Sequence, residues 1–176
     1  MLEYFNMSKI IFKRYRIKRY TTNIFFILYI FSFCTMFLII SENLYFKILI
    51  FLILFTCVAS DIGGFVFGKI FGGYKLTNIS PNKTVSGAIG SLIFSISFIN
   101  LSVFYLTNNL DIKIMVVGLV TSISCQVGDL FFSFLKRKSS LKDTANYLPG
   151  HGGILDRVDG ILLGIPLGVF TLLTIY

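Results

Sequence analysis

Carboxylates inside apolar sequence need explaining first, because each costs roughly 2.5–3.5 kcal/mol at the centre of a bilayer. Asp61 and Asp129 both stand in long apolar runs. Around Asp129, the residues Ser122, Cys125, Gln126, Asp129, Ser133 and Arg137 recur at steps of three and four, the spacing of one helical face. Such a polar stripe is expected to turn away from lipid. An interfacial acid wetted by headgroup water is the plainer alternative, and it stays open for Asp129 taken alone.

The stretch from Lys136 to Gly160 is denser in chemistry. It holds the cations Lys136, Arg137, Lys138, Lys142 and Arg157, the acids Asp143, Asp156 and Asp159, and the turn Pro149-Gly150-His151-Gly152-Gly153. Glycines let backbone N–H groups approach phosphate oxygens, which Lys and Arg neutralise. Asp156 and Asp159, three residues apart where the chain re-enters a helix, face the same way. Carboxylates among cations make sense if a hard divalent ion bridges them to a polyphosphate. A polybasic loop held against anionic lipid would explain the Lys and Arg but neither the acids nor the glycine turn. The loop from Gly72 to Thr84 adds Lys75, Lys83 and several hydroxyls. The two loops together predict a cation-rich, acid-containing cytoplasmic site at membrane depth. Its ligand is a phosphorylated nucleotide, a phospholipid or both.

Helices must carry these loops. Of the 176 residues, 55% are hydrophobic and 14% charged, too few charges to cover a globule in water and too apolar a chain to be disordered. The expected class is an all-α, polytopic membrane bundle. Five segments approach the roughly 20 apolar residues that a span requires: Thr22–Ile40, Leu44–Phe67, Gly87–Leu106, Lys113–Leu135 and Gly160–Tyr176. The first is not read as a signal peptide, because its basic leader is too long and Ser41-Glu42-Asn43 is a turn. Residues 1–21 form a basic cytoplasmic segment and 22–176 the membrane core. Small residues recur every fourth position at Gly64, Gly68, Gly72, at Gly87, Ser91, Ser95 and at Gly160, Gly164, Gly168, as in close-packed membrane helices. The first span lacks such a stripe and is read as a lipid-facing outer helix. Cys34, Cys57 and Cys125 lie in apolar runs, with no disulfide framework or metal spacing.

Longer matches then become visible. Ser133-Phe-Leu-Lys136-Arg137, Lys142-Asp143-Thr-Ala145 and Leu148-Pro-Gly-His151-Gly-Gly-Ile-Leu-Asp156-Arg157-Val-Asp159 resemble the signature of phosphatidate cytidylyltransferases (CDP-diacylglycerol synthases). Gly128-Asp129-Leu130 and the stretch from Asp61 to Gly87 are similar to that family too. The resemblance covers about two thirds of the chain, from Asp61 onward. It implies an enzyme that condenses CTP with phosphatidic acid, with Mg2+ as cofactor. It implies that Asp129 and Asp156 hold the metal and that Lys136, Arg137, Lys142 and Arg157 grip CTP phosphates or the lipid phosphate. Ser80, Lys83 and Thr84 would line the same cavity, with Ser133, Gly152 and Gly153 among the substrate-binding positions. His151 would touch phosphate or brace the glycine turn. The implied partners are CTP, phosphatidic acid and membrane lipids, not nucleic acid, with a homodimer left open. The implied location is the bacterial inner membrane, with the site on its cytoplasmic side.

The chain departs from the family pattern at four positions. Phe132 stands where the family often has Glu, Ser86 replaces a usual Glu, Asn82 a common Lys and Gly160 a common Ser. Family members usually carry further N-terminal helices, so this chain is either a minimal catalytic core, which is the expectation, or lacks helices that contribute to lipid binding. Competing readings are cytidylyl transfer to an archaeol-type lipid phosphate and a non-catalytic relative that binds anionic lipid.

Orientation follows from charge. The basic residues cluster before the first span, after the second and between the fourth and fifth, so alternation puts all three regions in the cytoplasm. In a background lacking the native cysteines, an impermeant thiol reagent outside the membrane should therefore label Asn108→Cys and spare Ser140→Cys. Labelling at position 140 from that side would sink the topology.

Overall fold

The computed structural model describes residues 1–77, 79–141, 143–145 and 152–176. In chain order the helices are α1 (Leu2–Ile11), α2 (Arg16–Ile40), α3 (Leu44–Phe71), α4 (Val85–Thr107), α5 (Ile112–Lys138) and α6 (Leu155–Ile175). Five of them, α2 to α6, are long and apolar enough to cross a membrane. The chain is an all-α integral membrane protein, as its composition predicts.

Nearly all the helical residues beyond the predicted spans lie at the basic end. There α2 begins at Arg16, α3 runs on to Phe71, α4 begins at Val85, α5 continues to Lys138 and α6 begins at Leu155. Apolar windows mark only the part of a helix immersed in lipid, whereas caps mark where the helix stops. Gly72, at φ +57°, ends α3 with its amide donating to the Gly68 carbonyl at 3.1 Å. Thr84 opens α4 by accepting from the Gly87 amide at 3.1 Å. Lys136, Arg137 and Lys138 fill the last turn of α5, where the helix dipole favours cations.

Helices α3 to α6 form the bundle proper, with α3 packed along α4, α4 along α5 and α5 along α6. Their approach is set by backbone rather than side-chain bulk. A Cβ at Gly87 would stand 2.8 Å from the Gly64 carbonyl, and one at Gly128 would stand 2.7 Å from the Asp159 carbonyl. These contacts use the predicted stripes, together with Gly128, which the stripes did not include. Gly72 does not belong with them: nothing lies within 4 Å of where its Cβ would be, and its role is the turn. Cys57 and Cys125 are free thiols buried in the main core with Ile50, Ile53, Ile99, Val117 and Ile165.

Helix α2 lies outside this bundle with only Phe26 buried, the lipid-facing position expected of it. Its tie to the core comes from a proline. Pro166 has no N–H to give the Leu162 carbonyl one turn back, and in lipid that oxygen has no water to turn to. The Tyr29 hydroxyl of α2 donates to it. Helix α1 packs below, where Met7 is buried with Phe26, Phe132, Leu155 and Leu162, and the Tyr4 ring stacks on Phe26 at 3.9 Å.

Tyr29→Phe keeps the ring and strands the Leu162 carbonyl, a loss of about 1–3 kcal/mol for a buried unsatisfied acceptor. The thermal midpoint of the detergent-solubilised protein, followed by loss of the monodisperse peak, should fall by several degrees. An unchanged midpoint would show that the carbonyl is satisfied without Tyr29.

Candidate active site

The loop between α3 and α4 folds back on itself. Lys75 and Thr84 form an antiparallel bridge, the Leu76 amide donates to the Lys83 carbonyl at 2.8 Å, and the Val85 amide donates to the Tyr74 carbonyl at 3.0 Å. The Ser86 hydroxyl donates to the Gly72 carbonyl and closes the base of the loop. Ser80 shapes the tip: its carbonyl accepts from the Lys83 amide at 3.1 Å, and its own amide donates to Thr77 Oγ1 at 3.3 Å. Lys83 is thereby aimed at α5, where its ammonium pairs with the Asp129 carboxylate.

Beside this pair is a cleft of about 260 Å³ between α3, α4 and α5, lined by Asp61, Asn82, Lys83, Thr84, Gln126 and Asp129 among others. Ser80 is not part of its wall. The Ser133 hydroxyl donates to Asp129 Oδ1 at 3.5 Å, and Gln126 Nε2 donates to the Ala88 carbonyl at 3.3 Å and to Ser122 Oγ at 3.4 Å. Ser122 is bonded to Ser60 of α3 at 2.8 Å. The predicted polar stripe of α5 therefore faces α3 and α4, and at its far end Arg137 is exposed.

Two turns beyond Asp129 on α5, about 10 Å along the axis, Lys136 donates to Asp156 Oδ1 at 2.8 Å. The other oxygen of Asp156 organises the loop before α6. Oδ2 accepts from the Thr144 amide at 2.9 Å, the Gly153 amide at 2.9 Å and the Thr144 hydroxyl at 3.0 Å. Gly152 is required here twice over: its φ is +77°, and a Cβ would stand 2.9 Å from Asp156 Oδ2. Arg157 lies in the first turn of α6, its amide donating to the Ile154 carbonyl at 3.0 Å. Lys142 and His151 lie outside the described residues.

Asp159 joins the two halves. It is 9% exposed and within electrostatic reach of Asp129, Lys83 and Lys136. Asp61, across the cleft, is within reach of Asp129 and Lys83. Residue types and spacing singled out Asp129, Asp156 and Asp159 among the cations but gave Asp61 no role beyond its place in an apolar run.

The fit to a cation can be judged from these groups. Among the described residues no cluster of three or more His, Cys, Asp or Glu is close enough to hold a metal ion. Instead Asp129 and Asp156 are each neutralised by a lysine. Besides the Lys83 ammonium, the polar side chains lining the cleft offer carboxylate, hydroxyl and amide groups, with neither thiol nor imidazole. Oxygen ligands of this kind suit a hard divalent ion rather than a soft one. Phe132, where the family often has Glu, points elsewhere: it is buried against Phe26 and Met7, on the side where α1 docks.

Comparison with known proteins identifies the family. A family model described as the cytidylyltransferase family matches residues 2–175. Phosphatidate cytidylyltransferase of Staphylococcus haemolyticus (strain JCSC1435) is 40% identical over 129 residues, which are 72% of this chain and 48% of that protein. The enzyme of the same name from Staphylococcus aureus (strain COL) gives the same figures. That of Mycobacterium leprae (strain TN) is 38% identical over 114 residues, 64% of this chain and 36% of the relative. The chain thus spans about half the length, or less, of the curated relatives it matches. With the family model matched across nearly every residue, the chain belongs to the cytidylyltransferase family.

Proposed function

We propose that this chain transfers CMP from CTP to phosphatidic acid, giving CDP-diacylglycerol and pyrophosphate, on the cytoplasmic face of a bacterial inner membrane. The observation that carries the reading is the pairing of Lys83 with Asp129 and of Lys136 with Asp156 along one end of α5. Resting ion pairs of this kind give phosphates a lysine to bind and free a carboxylate when they do. The names of the staphylococcal and mycobacterial relatives support the same reaction.

In the reaction a phosphatidate oxygen attacks the α-phosphorus of CTP, a new P–O bond forms, and the bond to the β-phosphate breaks to release pyrophosphate. A phosphate monoester is already an oxygen nucleophile, so no general base is required. The difficulty is bringing one anion onto another. Lys83, Lys136, Arg137, Lys142 and Arg157 offset that charge, Thr84, Ser133, His151, Gly152 and Gly153 complete the surroundings of the phosphates, and Ser80 shapes the loop that carries Lys83. Asp129 and Asp156 are the residues that would hold a divalent ion, magnesium in our reading. When bound, such an ion neutralises charge on the attacked and departing phosphates. Asp61 and Asp159 would add to the negative field around Asp129 that favours a divalent ion there. The site opens at the end of membrane helices, so the lipid's acyl chains can stay in the bilayer while its headgroup reaches the cleft.

The test is product formation. Purified protein in mixed micelles with CTP, phosphatidic acid and a divalent cation should yield CDP-diacylglycerol. Asp129→Asn, which removes one charge and little volume, should lower turnover by at least about 10²-fold, as loss of positioned charge commonly does, with an unchanged elution profile. No lipid product from folded wild type, or near-normal turnover by folded Asp129→Asn, would overturn the assignment.

A further inference from the structure

Among the acids that this chemistry leaves unused, Glu3 of α1 is buried, 5% exposed although it sits near the start of a basic segment. Its Oε1 accepts from the Ile154 amide at 2.9 Å, and its Oε2 accepts from the Leu155 amide at 2.8 Å and the Thr144 hydroxyl at 2.7 Å. Those two amides open α6, whose own cap residue, Ile154, supplies no side-chain bond. A carboxylate 151 residues away in sequence thus does the work of an N-cap, with its charge at the positive end of the helix dipole.

The same carboxylate reaches the catalytic loop. Thr144 Oγ1 lies 2.7 Å from Glu3 Oε2 and 3.0 Å from Asp156 Oδ2, and its single proton serves one of them at a time. Gly153 makes room for this: a Cβ there would stand 2.6 Å from Glu3 Oε2. Met7 and Tyr4 seat α1 so that Glu3 is held in place. Three donors converge on two oxygens, a demand that a carboxylate meets and an amide, with one acceptor oxygen, does not.

We propose that Glu3 is a positioning residue for the reaction. By capping α6 and bonding Thr144 it holds the loop around Asp156, and through Asp156 the ammonium of Lys136, in the geometry that receives phosphate. The inference rests on the proposed cytidylyl transfer for its consequence in turnover, but not for the cap itself. A distant helix would then be part of the active-site architecture without touching substrate.

The experiment compares full-length wild type, Glu3→Ala and Glu3→Gln by hydrogen exchange and by steady-state kinetics with CTP and phosphatidic acid. In Glu3→Ala, exchange at the Ile154 and Leu155 amides should accelerate at least about 10-fold. Its kcat should fall about 10-fold or more while KM for CTP stays within about threefold, because Lys136 remains present and only its aim is lost. Glu3→Gln, which keeps the volume and one acceptor, should fall between on both readouts, and it carries the test should Glu3→Ala not fold. Wild-type exchange in the variants overturns the cap, and accelerated exchange with wild-type kcat overturns the positioning role. A wild type without turnover whose amides still respond to Glu3 substitution would sink the assigned reaction and uphold the cap.

Discussion

A carboxylate carried on a membrane helix must be neutralised, and here each of two carboxylates is neutralised by a lysine that the fold brings from another element. Lys83 comes from the loop between α3 and α4, and Asp156 comes to Lys136 from the start of α6. Most of the surrounding structure serves these two meetings. The back-folded loop aims Lys83, the polar face of α5 carries Asp129 and Lys136 on one line, and the glycine contacts of α3 with α4 and of α5 with α6 bring the partners near enough to pair. The Lys83–Asp129 pair is partly open to solvent, so its worth to stability is modest, whereas Lys136–Asp156 is largely buried and its carboxylate accepts further backbone bonds. Their worth to chemistry is that both charges can be reassigned.

Backbone groups impose the second constraint. In lipid an unsatisfied carbonyl or amide has no water to fall back on. Pro166 leaves the Leu162 carbonyl without its helical donor, and α2 supplies Tyr29. The N-terminal amides of α6 lack a local cap, and α1 supplies Glu3. The two peripheral helices thus supply hydrogen bonds that the central bundle cannot make for itself, in addition to the side chains they pack against it.

The five spans, their all-α arrangement and the polar face of α5 were legible because period and apolar length are local properties of sequence. The grouping of Lys83, Asp129, Lys136 and Asp156 was legible from residue types and from the family resemblance. Less visible was how far each helix runs past the membrane. The start of α6 was placed at Gly160, five residues late, because the groups that stabilise its first turn, Glu3 and Asp156, include one at the other end of the chain. The same distance hid Glu3 altogether: one acid in a basic segment reads as a surface charge until its partners are known. Gly72 was grouped with packing glycines by spacing alone, although its positive φ serves a turn. Asp156, which the resemblance assigns to the metal, is in the resting structure also the acceptor that orders its own loop.

What connects these features is a site whose resting cations are its own lysines. If phosphates and a divalent ion displace them together, nucleotide binding and ion binding must be coupled, since neither lysine leaves its carboxylate uncompensated without cost. The direct measurement is the affinity of the folded, detergent-solubilised wild type for labelled CTP by equilibrium dialysis, in excess chelator and in millimolar magnesium. Tightening by about 10-fold or more with the ion, equivalent to roughly 1.4 kcal/mol of coupling, is the expected result. Equal affinity in the two conditions, or tighter binding in chelator, would contradict the exchange of cations on which the account depends.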